Sequence, residues 1–271
     1  MKLVKLIFRF YIHSSLHVAL AVVSFMLLRI YEIGLTVNLN LIFCVFFATI
    51  SGYNFVKYAG IAKLHHRSLT KQLRAIQIFS AISFVFTIYF LVQLRLMSIM
   101  LLISLSIINF IYAFPVFSKA KNLRNLPLVK IYIIAMVWSI TCVFLPIIEY
   151  QVNFELDYIY MFLQQFLMVV VLMIPFEIRD LKYDLVKLQT LPQILGILNA
   201  KILAGILLIF ITILSFYFFE SNMIFSIVFS FFLFLLIAYS SKNQSLYYSS
   251  FYVESVPIFS FIFVCIEFCF Y

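Results

Sequence analysis

The stretch ILGILNAKILAGILLIFITILSFYF, residues 194–218, decides the structural class of this protein. It carries a single charged side chain, Lys201, and its apolar residues lack the polar alternation of a lipid-facing β-strand. A helix needs about 20 predominantly apolar residues to cross the hydrocarbon core of a bilayer. The stretch therefore predicts a membrane-spanning helix.

The rest of the chain has the same character. Apolar residues make up 66% of the sequence, charged residues only 11%, and the mean hydropathy is +1.15, which excludes an ordinary soluble domain. We predict an all-α bundle of nine transmembrane helices that forms one domain over residues 1–271. The predicted spans are 10–30, 35–56, 75–94, 97–116, 128–148, 158–176, 194–218, 221–240 and 247–270.

The net charge of +9 is unevenly distributed between the two sides of the predicted spans. With nine spans, 17 of the 19 Lys and Arg residues fall on one side, and only Arg29 and Arg95 fall on the other. By the positive-inside rule the N-terminus is cytoplasmic and the C-terminus lies outside, as in a multi-pass protein of a bacterial-type inner membrane. We expect the lipid bilayer as a partner, no nucleic acid and no soluble protein. Polar residues interrupt the first span, so we do not expect a cleaved signal peptide.

Three carboxylates supply the first functional signal. Glu177, Asp180 and Asp184 are the only acidic residues predicted on the cytoplasmic side, and they share one face if the sixth helix continues through them. Negative charges near a helix C-terminus meet the negative end of the helix dipole and repel one another. We therefore expect a compensating cation, either Mg²⁺, which uses carboxylates and substrate phosphates as ligands, or the neighbouring bases. The alternative is a solvated loop whose charges pair locally.

The residues that flank these carboxylates favour a shaped connection. Pro175 is expected to bend the preceding span, Thr190 is a suitable N-cap, and Pro192 suits the first turn of the next helix. Gly196 follows shortly afterwards. Such a connection holds side chains in place better than a long loop does.

Polar residues within other spans also require an explanation. Glu254 is predicted about two turns inside the last span, where a carboxylate costs roughly 3 kcal/mol on insertion scales, so we expect it to face a cavity or a partner if it lies that deep. His13 and His17 are spaced as a metal pair, but we expect an interfacial position or a hydrogen bond within the bundle, because no third ligand is evident.

The cytoplasmic run resembles a known motif. Residues 179–184 (RDLKYD), then Lys187, Thr190-Leu191-Pro192 and Gly196, resemble the second aspartate-rich motif of the UbiA superfamily of intramembrane prenyltransferases. The run Tyr112-Ala113-Phe114-Pro115, followed by basic residues over 119–130, is similar to the Tyr-x-x-Pro and basic stretch after that family's fourth helix.

The resemblance implies a helical bundle with a lateral opening to lipid, in which Mg²⁺ holds the diphosphate of an isoprenyl diphosphate. Ionisation then yields an allylic cation that an aromatic or membrane-lipid acceptor attacks, as in quinone biosynthesis. It implies Asp180 and Asp184 as catalytic residues and Mg²⁺ ligands, with Glu177 assisting. Lys57 is not part of the family pattern; we predict that it is a third catalytic residue, and the alternative is a lysine that only anchors the helix end at the membrane surface. The substrate-binding residues that it implies are Asn54, Tyr112, Arg124, Arg179, Lys182 and Lys187.

The first motif departs from the family pattern, which reads Asn-Asp-x-x-Asp with a further Asp beyond. The matching stretch is GYNFVKYAGIAK, residues 52–63, in which Asn54 is kept while Phe55 and Tyr58 stand at the aspartate positions. Three explanations remain open. Lys57 and Lys63 replace one metal, since an ammonium binds phosphate as a point charge; or one Mg²⁺ serves a changed reaction; or the protein is a noncatalytic scaffold or lipid-binding protein that kept the fold.

Other well-marked classes lack their signatures. The sequence contains no glycine-rich phosphate loop, nucleophile elbow or cysteine-rich zinc spacing. A secondary transporter would place charges or broken helices at the membrane midplane, whereas these carboxylates are predicted at the rim.

Overall fold

The computed structural model describes residues 2–62, 71–113, 128–182, 189–218 and 223–270, and these residues form helices and turns without a β-strand. The all-α prediction is confirmed. The helices are α1 (Lys2–His13), α2 (Leu16–Glu32), α3 (Leu39–Ala62), α4 (Lys71–Leu91), α5 (Leu96–Ala113), α6 (Val129–Ser139), α7 (Leu145–Tyr150), α8 (Asp157–Asp180), α9 (Leu191–Leu195), α10 (Ile197–Phe218), α11 (Met223–Tyr239) and α12 (Val256–Phe270). Two π-helical segments, Ile140–Phe144 and Tyr248–Val253, join α6 to α7 and precede α12.

Several of these helices match the length of a bilayer. Seven helical regions in the described part of the chain are long and apolar enough to cross a membrane, and the bent pair α1 and α2 brings the number to eight. In α11 the apolar stretch is shorter, Ser226–Tyr239. A multi-pass membrane protein is thereby supported, while the count of nine crossings stays a prediction.

The core lies around α2, α6 and α8. Met26, Ile131 and Ile174, one from each helix, are completely buried. The most apolar windows of Val129–Tyr150 and Asp157–Asp180 are each 56% buried, against 11% for Gln72–Leu91 in α4. Large apolar side chains on the outer face of α4 are exposed, which suits contact with lipid tails rather than water.

The first predicted span is not one straight helix. It is broken at Ser14 and Ser15, where α1 and α2 meet at a bend of 55°, and Ser15 adopts a left-handed backbone conformation with φ 63°. Serine side chains compete with helical backbone hydrogen bonds, so a serine pair is a weak point of a helix. Two side chains of α3 stabilise the break: Tyr58 donates to the carbonyl of His13 at 3.0 Å, and Asn54 donates to that of Ser14 at 3.0 Å.

The last predicted span is also interrupted. The π-helical segment Tyr248–Val253 ends in a turn at Glu254 and Ser255, and the Glu254 N–H donates to the carbonyl of Ser249 at 3.2 Å. Pro257, at the second position of α12, lacks the N–H that would continue the π-helical pattern. The interruption sets the position of the Glu254 side chain within the bundle.

Candidate functional site

The C-terminal end of α8 carries an ion-paired aspartate. Asp180 is the last residue of α8 and is half-buried. Its Oδ1 accepts a hydrogen bond from Arg179 Nε at 2.8 Å, and its Oδ2 lies 3.3 Å from Lys130 Nζ on α6. Two cations therefore hold this carboxylate in place at the junction of α6 and α8.

Glu177 supports the connection that follows α8. Its side chain is buried, and Oε2 accepts the backbone N–H of Leu191, the first residue of α9, at 3.1 Å. Thr190 occupies the N-cap position of α9, as predicted, and its own N–H donates to the Gln193 side chain at 3.0 Å. Glu177 thus fixes the start of α9 relative to the end of α8.

The helix does not continue through the acidic run as the sequence spacing assumed. It ends at Asp180, and Leu181 and Lys182 form a turn. Asp184 and Lys187 lie outside the described residues, so one helical face shared by all three carboxylates is not observed. Within the described ranges no three His, Cys, Asp or Glu side chains form a group that would hold a metal ion.

A basic cavity of about 390 Å³ opens beside the end of α8. Arg179 is held towards it by hydrogen bonds from Nη1 to the hydroxyls of Ser249 and Ser250, each at 3.0 Å. Four basic or imidazole side chains from α1, α3 and α8 meet here, an arrangement that suits an anion with several oxygen acceptors. The residues that line the basic cavity are Arg9, Ile12, His13, Lys57, Arg179, Leu246, Tyr247 and Ser250.

Residues of α3 that correspond to the first motif stabilise the bend between α1 and α2 and line the basic cavity. Lys57 is exposed, lines the basic cavity, and lies with its Nζ 3.5 Å from the carbonyl of His13. Asn54 is buried, and besides donating to Ser14 it accepts a hydrogen bond from the Ser15 hydroxyl at 2.9 Å. Phe55, at one of the aspartate positions, stacks on Phe110 of α5 with ring centroids 6.1 Å apart. One face of α3 therefore stabilises the bend, while Lys57 adds charge to the cavity.

An aromatic cavity of about 110 Å³ lies next to the basic cavity. Trp138 donates its indole N–H to the hydroxyl oxygen of Tyr53 at 2.7 Å. Glu254 is the one charged residue among otherwise apolar and aromatic lining residues, so it borders a cavity, as expected. Its lining residues are Tyr53, Ile134, Trp138, Val169, Leu172, Met173, Phe176, Glu254 and Pro257.

The two cavities are stacked along the helices. Three stretches of the chain line both cavities, and in each stretch the nearest pair of lining residues is three or four positions apart. That spacing corresponds to one helical turn, about 5 Å. The pairs, with the aromatic-cavity residue first, are Tyr53 and Lys57, Phe176 and Arg179, and Glu254 and Ser250.

The comparisons with known proteins establish the fold. No family model and no curated protein matches the sequence. A solved structure of a UbiA homologue from Archaeoglobus fulgidus bound to GPP and Mg²⁺ matches with a TM-score of 0.60 at 13% sequence identity, over 95% of this chain and 99% of that chain. The chain has the UbiA fold. A second structure of a UbiA homologue from that organism, bound to DMAPP and Mg²⁺, matches with a TM-score of 0.59 at 12% identity over the same shares.

The UbiA fold brings together part of the predicted site. Lys57 and Arg179 line one cavity, and Asp180 is bonded to Arg179. Tyr112 is buried, Lys182 is exposed in the turn after α8, and Arg124 lies outside the described residues.

Sequence reasoning missed three side chains of this candidate site. Lys130 belonged only to a general basic stretch, although it bonds to Asp180. Arg9 and His13 lie four positions apart in α1 and so share a helical face, a signal that would have indicated a common surface. The predicted hydrogen bond within the bundle is found at His17, which bonds to Tyr11 at 2.6 Å and to the carbonyl of Phe251 at 3.1 Å.

Proposed function

We propose that this protein is a divergent UbiA-like membrane prenyltransferase, which transfers an isoprenyl group from an isoprenyl diphosphate to an aromatic or lipid-precursor acceptor. The observation that carries the proposal is a cavity lined by Lys57, Arg9, Arg179 and His13, one helical turn from an apolar and aromatic cavity. An isoprenyl diphosphate has the same division into a polyanionic head and an apolar tail. The fold shared with UbiA homologues bound to GPP or DMAPP with Mg²⁺ supports this assignment.

The proposed reaction uses the two cavities in different ways. Lys57 and Arg179 neutralise the diphosphate, which leaves with the electron pair of the broken C–O bond. The allylic cation faces Tyr53, Trp138 and Phe176, whose ring faces stabilise positive charge. An apolar lining also keeps bulk water from the cation.

Asp180, the last residue of α8, and Asp184 are the proposed Mg²⁺ ligands. Carboxylate oxygens are the donors that Mg²⁺ prefers, and substrate phosphates complete its coordination. The bound ion would supply further neutralisation of the leaving diphosphate. Lys130 and Arg179 hold the Asp180 carboxylate in position, while Glu177 assists by fixing the start of α9 relative to α8.

The remaining predicted residues act around this centre. Lys182, Lys187 and Arg124 are proposed to contact the phosphate, Asn54 to orient the first-motif side of α3, and Tyr112 to pack on the substrate. By the positive-inside rule, the end of the bundle that carries Lys57, Lys130 and Arg179 faces the cytoplasm from an inner membrane in this proposal.

A noncatalytic scaffold or lipid-binding protein is the second candidate function. The observation that favours it is the ion pairing of Asp180 with both Lys130 and Arg179, which compensates the carboxylate without any metal. Phe55 and Tyr58 at the aspartate positions, engaged with Phe110 and His13, point the same way.

The two candidates differ in their response to GPP and Mg²⁺. We expect the purified protein in detergent to be stabilised by GPP only when Mg²⁺ is present, by about 2.7 kcal/mol at a hundredfold excess over Kd, and to release diphosphate. Asp180→Asn should lower diphosphate release by at least about 100-fold, since it removes a charged metal ligand, while the melting temperature without ligand changes little because the ion pairs are partly solvated.

The outcomes separate the candidates. Turnover in Asp180→Asn equal to that of the native protein would remove Asp180 from the site. Absence of both stabilisation and diphosphate release in the native protein would favour the scaffold. Mass spectrometry of lipids retained by the purified protein identifies the donor or a quinone-precursor acceptor in the same preparation.

A further inference from the structure

The first two turns of α1 carry apolar side chains that the bundle does not cover. The following turn is packed: the ring of Phe8 lies 5.3 Å from that of Tyr247, between centroids. The ring of Phe10 lies 5.6 Å from that of Phe79 in α4. An exposed apolar patch ahead of these contacts is unfavourable in water, so another apolar phase is expected to cover it. The exposed side chains are Leu3 (67%), Val4 (70%), Leu6 (56%) and Ile7 (59%).

Basic side chains follow the opposite face of α1. Lys5 and Arg9 are one helical turn apart and both are exposed. Leu3 and Ile7 have the same spacing, but their positions place them on the other side of the helix. A basic face opposite an apolar face is typical of a helix that lies at the boundary between lipid tails and headgroups.

The bend between α1 and α2 gives α1 the orientation that such a helix needs. With 17 residues, α2 is about 25 Å long, close to the roughly 30 Å of a hydrocarbon core. Since α2 covers most of the core, α1 begins near its boundary. The bend of 55° at Ser14 and Ser15 turns α1 towards the membrane plane, which brings Lys5 to the level of the headgroups.

The surrounding charges are complementary to an anionic lipid surface. Arg74, five positions before the Phe79 that contacts α1, is also exposed. The described carboxylates that are exposed lie at the other end of the bundle, Glu32 at the end of α2 and Glu155 and Asp157 at the start of α8. A phospholipid matches both faces of α1 at once, because one molecule supplies acyl chains and a negative headgroup. Free phosphate matches only the basic face.

We propose that α1 binds anionic phospholipids of the leaflet at this end of the bundle. Leu3, Val4 and Ile7 lie among the acyl chains, while Lys5 and Arg74 contact headgroup phosphates. Arg9 and His13 of the same helix line the basic cavity, so the bound lipid also holds one wall of that cavity in place. The inference does not depend on the proposed prenyl transfer.

The test measures which lipid surrounds α1 in the full-length protein in liposomes. A bimane fluorophore is attached at Leu6→Cys in a background with Cys265→Ser and Cys269→Ser, and Ile209→Cys, 64% exposed in the middle of α10, is the reference position. The liposomes contain phosphatidylcholine and phosphatidylglycerol, and one lipid at a time carries bromine, which quenches the fluorophore on contact. After correction for lipid amounts, we expect phosphatidylglycerol to quench the α1 label at least about threefold more efficiently than phosphatidylcholine, and the reference label equally.

A charge-removing variant tests which cations produce this preference. In the double variant Lys5→Gln with Arg74→Gln, we expect quenching of the α1 label to show no preference between the two lipids. Both side chains are exposed, so the substitutions should leave the fold intact. Arg95→Gln, at an exposed arginine before α5, is the control and should retain the preference.

Three results would overturn the inference. Equal quenching of the α1 label by the two lipids means that the helix has no preference for negative headgroups. Quenching by neither lipid means that water or protein, such as a second copy of the chain, covers the apolar face. A preference that persists in Lys5→Gln with Arg74→Gln means that these cations do not bind the headgroup.

Discussion

The side chain of Lys57 on α3 lies both at the bend between α1 and α2 and at the basic cavity. Its ammonium approaches the carbonyl of His13 at 3.5 Å and also lines the basic cavity, whereas Asn54 and Tyr58 on the same helix bond to the backbone of the bend. A lysine at this place supplies positive charge without metal ligands. In the proposed function, it is the residue of the first-motif stretch that binds the diphosphate.

Replacing Lys57 with Met should weaken GPP binding. The variant keeps most of the side-chain volume but loses a charge-assisted contact to phosphate, and we expect Kd for GPP to rise by about tenfold, or about 1.4 kcal/mol. Calorimetric titration of GPP at fixed Mg²⁺ measures the change. Lys5→Met, on the exposed part of α1, is the control, and an equal Kd in Lys57→Met and the native protein would remove Lys57 from the anion site.

Some residues of the site were predictable from local spacing and others were not. Glu177 and Asp180 follow from a charge pattern within one helix, and Thr190 from capping chemistry. The partner of Asp180, Lys130, is 50 positions away on α6, and no pattern within either segment specifies how α6 packs on α8. Pairing between distant helices depends on the whole core, so it required the structure.

At the level of elements, the bend between α1 and α2 depends on α3. Freed carbonyls at His13 and Ser14 need donors, and Tyr58 and Asn54 provide them from one face of α3. Since Arg9, Ile12 and His13 of α1 line the basic cavity, the angle of the bend sets the shape of that cavity. The packing of three helices is thus coupled to the site.

Asn54→Ala should loosen this junction. The change removes two buried hydrogen bonds and leaves the Ser14 carbonyl without its donor, which costs about 1–3 kcal/mol. We expect a lower melting temperature in detergent and a higher Kd for GPP. In Asn199→Ala the lost hydrogen bond lies within an exposed helical turn and should matter little; a melting temperature no lower in Asn54→Ala than in this control would contradict the role assigned to the bend.

Apolar runs predicted the helices themselves, because burial in lipid or in the core requires continuous hydrophobic length. They did not predict the break at Ser14 and Ser15. Its stabilising contacts come from side chains 39 to 45 positions away, and a serine pair without such donors remains compatible with an ordinary helix. The π-helical segment before Glu254 was missed for the same reason.

Considered as a whole molecule, the bundle has two chemically different ends. Lys57, Arg179 and Lys130 belong to the end that carries both the basic cavity and the paired Asp180. At the other end Arg29 is buried and bonds to Gln164, Gln165 and Glu32 at 2.9, 3.1 and 2.5 Å. The positive-inside rule predicts that the first end faces the cytoplasm.

Cysteine labelling tests this orientation. In a background with Cys265→Ser and Cys269→Ser, an added cysteine at Lys242 should react with a membrane-impermeant maleimide only in inverted vesicles, and one at Asn153 should react in intact cells. Both positions are exposed in loops. The reverse labelling pattern would place the basic end outside. Labelling of both positions from the same side would contradict the odd number of membrane crossings that we predict between Asn153 and Lys242.

The bend at Ser14 and Ser15 also bears on how the protein is handled. It makes α1 a short arm whose inner surface is one wall of the basic cavity, and no described residue of α12 belongs to that wall. An affinity tag or fluorescent fusion ahead of α1 is expected to shift α1 and so change the shape of the basic cavity. Such additions are better attached after α12.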